Sequence, residues 1–201
     1  AYVAEGNLSR ALLYGEHVIR LARQQQNEGA EIDNINLLTA FLIDNEQYKK
    51  ALPHVQRGLE IAQAQSDWNW QLTMLSSLGF TQYNLGQFDA ALDSYRQALA
   101  LAQQLQDPAA EAHVYGRISA VQSELGNADA TVEAGRRALA LAQEVEDYHL
   151  VGEQQILLAF ALSDLDRRDE AATYCRQAAA TYQQIGETAL AEKAQTLLAE
   201  L

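Results

Sequence analysis

The chain has 201 residues, 48% of them hydrophobic, and carries 14 Lys and Arg against 27 Asp and Glu, a formal charge of −13 at pH 7. That length fits one compact domain or one short repeat array with a buried core. The acidic balance works against a surface that tracks phosphates, so direct nucleic-acid binding is not expected, and no apolar run nears the roughly 20 residues of a membrane span. Cys175 is the only cysteine, which precludes an intrachain disulfide and fits a reducing compartment. No basic-then-apolar signal segment opens the chain, and a cytoplasmic location is expected. Residue 1 is Ala and the only methionine is Met74, so the chain reads as a piece of a larger protein.

A repeat of 40 residues organises the whole sequence. Gly86-Gln87-Phe88-Asp89-Ala90-Ala91-Leu92 is echoed by Glu46-Gln47-Tyr48-Lys49-Lys50-Ala51-Leu52, and before that by Gly6-Asn7-Leu8-Ser9-Arg10-Ala11-Leu12. Gly126-Asn127-Ala128-Asp129 and Asp166-Arg167-Arg168-Asp169-Glu170-Ala171-Ala172 continue the series. Other columns keep the register: Leu21-Ala22, Ile61-Ala62, Leu101-Ala102 and Leu141-Ala142; Leu38, Leu78, Ile118, Leu158 and Leu198; and Asn27, Asp67, Asp107, Asp147 and Glu187. Chance composition does not hold such columns in phase without an insertion.

The predicted units are 1–26 (partial), 27–66, 67–106, 107–146, 147–186 and 187–201 (partial), in a single array. Each full unit reads as two helices, about ten helices in all. Ala1-Tyr2-Val3-Ala4 reads as the tail of a truncated helix. In the third unit, Trp68 and Trp70 open the first helix. Phe88, Ala91, Leu92, Tyr95, Ala98, Leu99, Ala102 and Leu105 recur at spacings of three and four, one face of a second helix. That helix is predicted to end near Gln106. Asp107 then caps the next, with Pro108 at the first helical position, where its missing N–H costs nothing. Ala112, Tyr115, Ile118, Val121 and Leu125 extend the apolar stripe until Gly126 ends it in the left-handed conformation that glycine adopts cheaply. Segment 187–201 reads as a first-type helix without a partner. No linker or second domain is evident.

These columns resemble the tetratricopeptide repeat (TPR). In the third unit the family pattern is carried by Leu78, Gly79, Tyr83, Gly86, Phe88, Ala91, Tyr95 and Ala98. Thr131 replaces the first alanine of the second helix in the fourth unit, and Gly135 and Cys175 replace the aromatic. The family's closing proline is absent, and the helix runs on through Ala100-Leu101-Ala102-Gln103-Gln104. The extra residues, more than one turn at about 3.6 residues per turn, account for a period of 40 rather than the usual ~34. The resemblance implies a longer-repeat subclass found in multidomain signalling proteins, including regulators that couple a sensor array to an ATPase or a DNA-binding domain. It also implies an all-α, right-handed α-solenoid of about five antiparallel helical hairpins, with first helices on an inner concave wall.

No constellation for catalysis stands out, so the chain is not expected to be an enzyme, and no cofactor or metal is implied. Cys175 lies on a core-facing column and reads as an inert buried thiol. His17, His54, His113 and His149 form no dense ligand cluster. There is no Gly-rich phosphate loop and no Gly-x-Ser-x-Gly elbow. Glu144 and Glu146 read as a solvated helix end. Asn7-Leu8-Ser9 would be a glycosylation acceptor only in a secreted chain. Trp68 and Trp70 read as packing against the preceding helix, with a partner contact as the alternative.

The resemblance places the binding surface on the concave wall. Inward positions on the first helices are Ala40, Phe80, Ala120 and Phe160 at one level, and Ile43, Tyr83, Ser123 and Ser163 at another, with Asn84 next to Tyr83. The fourth unit adds His113 and Arg117. Rings there could hold apolar side chains of a peptide, and Arg117 could pair a carboxylate; the ordinary alternative is that the rings pack between hairpins. Positions where some family members clamp a C-terminal carboxylate read Asn36, Ala40, Ser77, His113 and Arg117. Only Asn36 and Arg117 fit, so chaperone-tail binding is not expected. The expected function is a protein–protein interaction scaffold taking a peptide or partner segment in its groove, within a larger regulatory protein. The alternatives are an effector-sensing domain of a signalling ATPase or transcription regulator, and a structural array that self-associates end to end.

Overall fold

The computed structural model describes the backbone of residues 5–201 and side chains from Arg10 onward. The predicted helix tail at residues 1–4 lies outside the described residues. Among those residues there are ten helices and no strand: α1 (Glu5–Gln24), α2 (Glu28–Asp44), α3 (Tyr48–Ala64), α4 (Trp68–Asn84), α5 (Phe88–Leu105), α6 (Pro108–Glu124), α7 (Ala128–Glu144), α8 (Tyr148–Asp164), α9 (Arg168–Gln184) and α10 (Thr188–Glu200). The fold is the TPR-like stack of antiparallel helical hairpins that the repeat implies. One boundary departs from the register. Gly6 lies inside α1 rather than at a turn.

The turns explain the even spacing. Gln26, Glu46, Ser66, Gly86, Gln106, Gly126, Glu146, Asp166 and Gly186 all have positive φ, between 53° and 82°, and recur every 20 residues. After each of them the next N–H reaches back over the helix end. Asn27 N donates to Ala22 O at 3.0 Å, Gln87 N to Gln82 O at 2.9 Å, Asp147 N to Ala142 O at 2.9 Å, and Glu187 N to Tyr182 O at 2.8 Å. This closes the last turn and satisfies carbonyls that a helix end leaves orphaned. Gly126 takes the left-handed conformation as expected, with φ 72°. Glycine is not required, however: six of these nine positions carry another residue, held there by the same backbone bonds. An L-residue in this region costs about 1–2 kcal/mol, partly offset by the greater unfolded-state freedom of glycine. Glu146→Gly is therefore expected to stabilise the protein by about 0.5–1 kcal/mol, read as a higher urea midpoint with unchanged slope.

The column of capping residues works at four of five places. Asn27, Asp67, Asp107 and Asp147 accept the backbone N–H three residues on, at 2.9–3.0 Å, whereas Glu187 makes no side-chain cap. Short Asn and Asp side chains fold back onto the N3 amide.

The chain divides into two compact units, one ending at Leu101 within α5 and one spanning Ala102–Leu201. In the first, α1 to α4 pack in succession, and α2 also touches α4. Ile19, Ile32, Ile35, Leu42, Val55, Ile61 and Met74 are buried there. Trp70 packs on this core, as the packing reading expects, while Trp68 stays 38% exposed. Gly79 lets the Tyr95 ring approach: a Cβ there would meet Cε1 at 2.7 Å. Glu31, only 2% exposed, is bound by two arginines. Its Oε1 accepts from Arg23 Nη2 at 2.9 Å and Arg57 Nε at 3.0 Å.

In the second unit α6 to α10 pack in succession, and α6 also touches α8. Val132, Leu139, Leu150, Leu158 and Leu162 form its core. A smaller cluster holds Ala178, Tyr182, Ala191 and Ala194. Helix α8 is pressed from several sides, and buries Leu150, Val151, Gly152, Gln154, Gln155, Leu158, Ala159, Ala161 and Leu162. Cys175 is buried and free, and burial pushes its thiol pKa up, as an inert core thiol requires.

Candidate functional site

Helices α6 and α8 each begin on an aspartate cap, which fixes where their first turns start. Asp107 receives Ala110 N at 2.9 Å, and Asp147 Oδ1 receives Leu150 N at 3.0 Å. The other oxygen of Asp147 lies 3.2 Å from His113 Nε2, so the α8 cap also holds a side chain of α6. Two stripes then face one recess. On α6 these are His113, Gly116, Arg117 and Ala120; on α8, Leu150, Glu153, Gln154, Leu157 and Phe160, with Tyr182 of α9 beneath. Spacings of three and four put each set on one helical face. The recess encloses about 330 Å³, at the lower end of the range for small-ligand and side-chain pockets.

Its walls are mostly apolar. Phe160 stands at the rim, 48% exposed, and Leu150 lies deeper, 5% exposed. Tyr182 is 4% exposed, and its ring seats against Gly152, where a Cβ would come within 2.7 Å of Cε1 and Cζ. Burial, then the nearby carboxylates of Glu153 and Glu187, push the Tyr182 phenol up to about 12, so it stays neutral and can only donate or accept as a hydroxyl. Gln154 is 4% exposed, and its Oε1 has no hydrogen-bond partner among the described residues. Its neighbour Gln155 is as deeply buried but accepts from Thr181 Oγ1 at 2.9 Å. Gly116 faces Gln154 across the recess: a Cβ there would stand 3.0 Å from Nε2 and 3.1 Å from Leu150 Cδ1.

Of the residues singled out in the sequence, His113, Arg117, Ala120 and Phe160 meet in this recess. Asn36, Phe80, Tyr83 and Asn84 lie in the first unit and do not line it. Phe80 packs edge-on against Tyr48, with ring centroids 6.3 Å apart, and Tyr83 lies 5.8 Å from Phe88. Asn84 donates to Phe80 O at 2.8 Å, and Asn36 is half-buried on α2. Gly116, Leu150, Gln154, Leu157 and Tyr182 were not singled out. A signal for Gln154 does exist: its repeat column reads Asn34, Met74, Val114, Gln154 and Ala194, so a polar group follows two apolar ones.

Among the described residues no group of three His, Cys, Asp or Glu is placed to hold a metal ion, and no helix is long and apolar enough to cross a membrane. Tetratricopeptide repeat family models match residues 31–104 and 155–185, together just over half of the chain. The chain belongs to the tetratricopeptide repeat family. No curated protein matches this TPR array. Solved structures share its fold at low identity. The nearly identical TPR-like repeats of a putative kinesin light chain from Podosopora anserina are 16% identical, with a TM-score of 0.75, covering 92% of this chain and 91% of that one. A signal transduction ATPase with numerous domains (STAND) and a tetratricopeptide repeat sensor, from Pyrococcus horikoshii, is 17% identical, with a TM-score of 0.74. That match covers 96% of this chain and 32% of the ATPase. A Rap protein complexed with competence and sporulation factor is 17% identical, with a TM-score of 0.64, covering 94% of this chain and 57% of that protein.

Proposed function

We propose that this TPR array is a protein-interaction module of a larger regulatory protein, and that its α6–α8 recess receives an apolar side chain of an extended or helical partner segment. The carrying observation is an apolar recess of about 330 Å³ with an exposed ring, Phe160, at its rim and a few polar groups around it. Anchors of this kind, a large side chain filling a pocket inside a polar rim, carry most of the affinity of peptide interfaces. Arg117 and His113 would face acidic groups of the segment. In the first unit Asn36, Phe80, Tyr83 and Asn84 are proposed as contacts of lesser weight, because Phe80 and Tyr83 are already braced by neighbouring rings. Binding alone accounts for the recess, which offers no nucleophile beside a base. The lone buried cysteine supports a cytoplasmic setting.

The test is a binding measurement on a segment selected against the full chain by peptide display. Phe160→Ala is expected to weaken it about tenfold or more, from the lost burial of one aromatic ring. Affinity unchanged in Phe160→Ala, Leu157→Ala and His113→Ala alike would remove the recess from the site.

A second reading is an effector sensor. It is favoured by the position of the recess between the first helices of adjacent hairpins, and by the likeness to a STAND protein whose repeats are called a sensor. Under it, a small molecule rather than a protein segment raises Tm, since a ligand that binds only the folded state stabilises it.

A further inference from the structure

We infer that Gln154 is a specificity group that makes the recess select a ligand presenting an N–H beside an apolar side chain, as the main chain of a peptide does. This rests on the recess being the binding site. The first support is the amide itself. It is 4% exposed, and its Oε1 is unpartnered among the described residues. A buried acceptor left without a donor is destabilising, and native proteins hold few of them. The other polar residue of this column, Asn34, donates to Ala30 O at 2.7 Å. Met74 and Val114, at the same position in the two preceding units, are 0% and 3% exposed and pack as ordinary core.

The second support faces it. Gly116 is the only glycine in a column that otherwise reads Asn36, Ser76, Ile156 and Thr196. A glycine in mid-helix is unfavourable relative to alanine. Its bare backbone lets the Gln154 amide and Leu150 pack directly against α6, since a Cβ would come within 3.0 Å of Nε2 and 3.1 Å of Leu150 Cδ1. The amide can turn about its last bond, so its oxygen and Nε2 can exchange places. Two locally unfavourable choices therefore sit opposite each other in one recess. The close approach of the two helices accounts for the glycine; a ligand N–H donating to Gln154, with its apolar side chain between Leu150 and Leu157, accounts for the buried acceptor.

The probes are N-acetyl-L-leucinamide and its fully N-methylated analogue, which keeps the side chain and carbonyls but has no N–H. Each is titrated into the full chain and followed by NMR at the Gly116 backbone and Gln154 side-chain amides. For a fragment of this size the dissociation constant should be on the order of millimolar. The amide probe is expected to bind about tenfold tighter than the methylated one. In Gln154→Leu that preference should vanish, while Tm rises by about 2–4 °C because the orphaned acceptor is gone. Gly116→Ala should stay folded and weaken the amide probe by displacing the Gln154 amide. If Gln154→Leu keeps the wild-type preference, Gln154 does not read the donor, although the recess stands as a site. If Gln154→Leu lowers Tm, the amide is already satisfied in the free protein by water, and the inference fails. If neither probe moves any recess signal, the recess reading falls and the inference with it.

Discussion

Replacing Arg23 and Arg57 together with methionine is expected to destabilise the protein by about 3 kcal/mol or more, because it strands a carboxylate inside the first unit. Glu31 is 2% exposed, and its Oε1 takes hydrogen bonds from Arg23 Nε at 3.1 Å, Arg23 Nη2 at 2.9 Å and Arg57 Nε at 3.0 Å. The converse change should be much milder. In Glu31→Met the two guanidiniums, with side chains 58% and 39% exposed, can turn to water. Chemical denaturation of the three proteins tests this asymmetry; equal losses would contradict it. The pH dependence gives a second readout. Burial alone would raise the Glu31 pKa, but hydrogen bonds and charge from Arg57 and Arg23 outweigh it and hold the value below its ordinary 4.5. Its contribution is then present above that value and lost as pH falls through the lower, folded one. In the double mutant only burial remains, the folded pKa lies above the unfolded one, and this group's contribution should improve on acidification. Stability curves of wild type and double mutant should therefore converge as pH falls.

Leu158→Ala is expected to cost about 3–4 kcal/mol, by loss of the urea-unfolding midpoint followed by circular dichroism. Leu158 is 0% exposed and sits in the core with Ala112, Val132, Leu139 and Leu162. Its Cδ2 lies 3.1 Å from where a Cβ of Gly135 would be, so it fills the place that an aromatic occupies in the third unit. A glycine opposite has no side chain with which to collapse into the cavity, which puts the cost in the upper part of the range for leucine truncation. Truncating Leu125, 38% exposed at a helix end, should cost about 1 kcal/mol or less.

The parts of this molecule that sequence discloses are those governed by neighbours in the chain. Asp107 caps α6 through a contact three residues away, and Pro108 takes the position its geometry suits. Both follow from a few consecutive residues, and the period carries them to every unit. Contacts between helices are another matter. Glu31 meets Arg57 across 26 positions, and nothing in an acidic residue near a helix start marks it as buried. Phe80 and Phe160 share a column, yet Phe80 has a ring beside it at Tyr48, where the matching position two units on holds Ala128. One ring is braced and the other stands open at a recess. The groove positions implied by the family gave both the same weight, because a column records what a residue is and not what stands opposite. Gln154 could have been found, together with Asn34, by asking which residues of its column are polar. Gly116 could not, since its meaning lies in how closely it lets the facing helix approach.

The nine left-handed turn residues have a practical consequence. All are exposed, and their conformation is held by backbone bonds rather than by side-chain identity. A thiol introduced at Gln106, Glu146 or Asp166 would carry a spectroscopic label without disturbing the interior. Cys175, buried and with its thiolate suppressed, would stay silent towards the labelling reagent. The second unit thus has attachment points at intervals of one helix and one turn, a molecular ruler along which any ligand-driven opening of neighbouring hairpins becomes a measurable change in length.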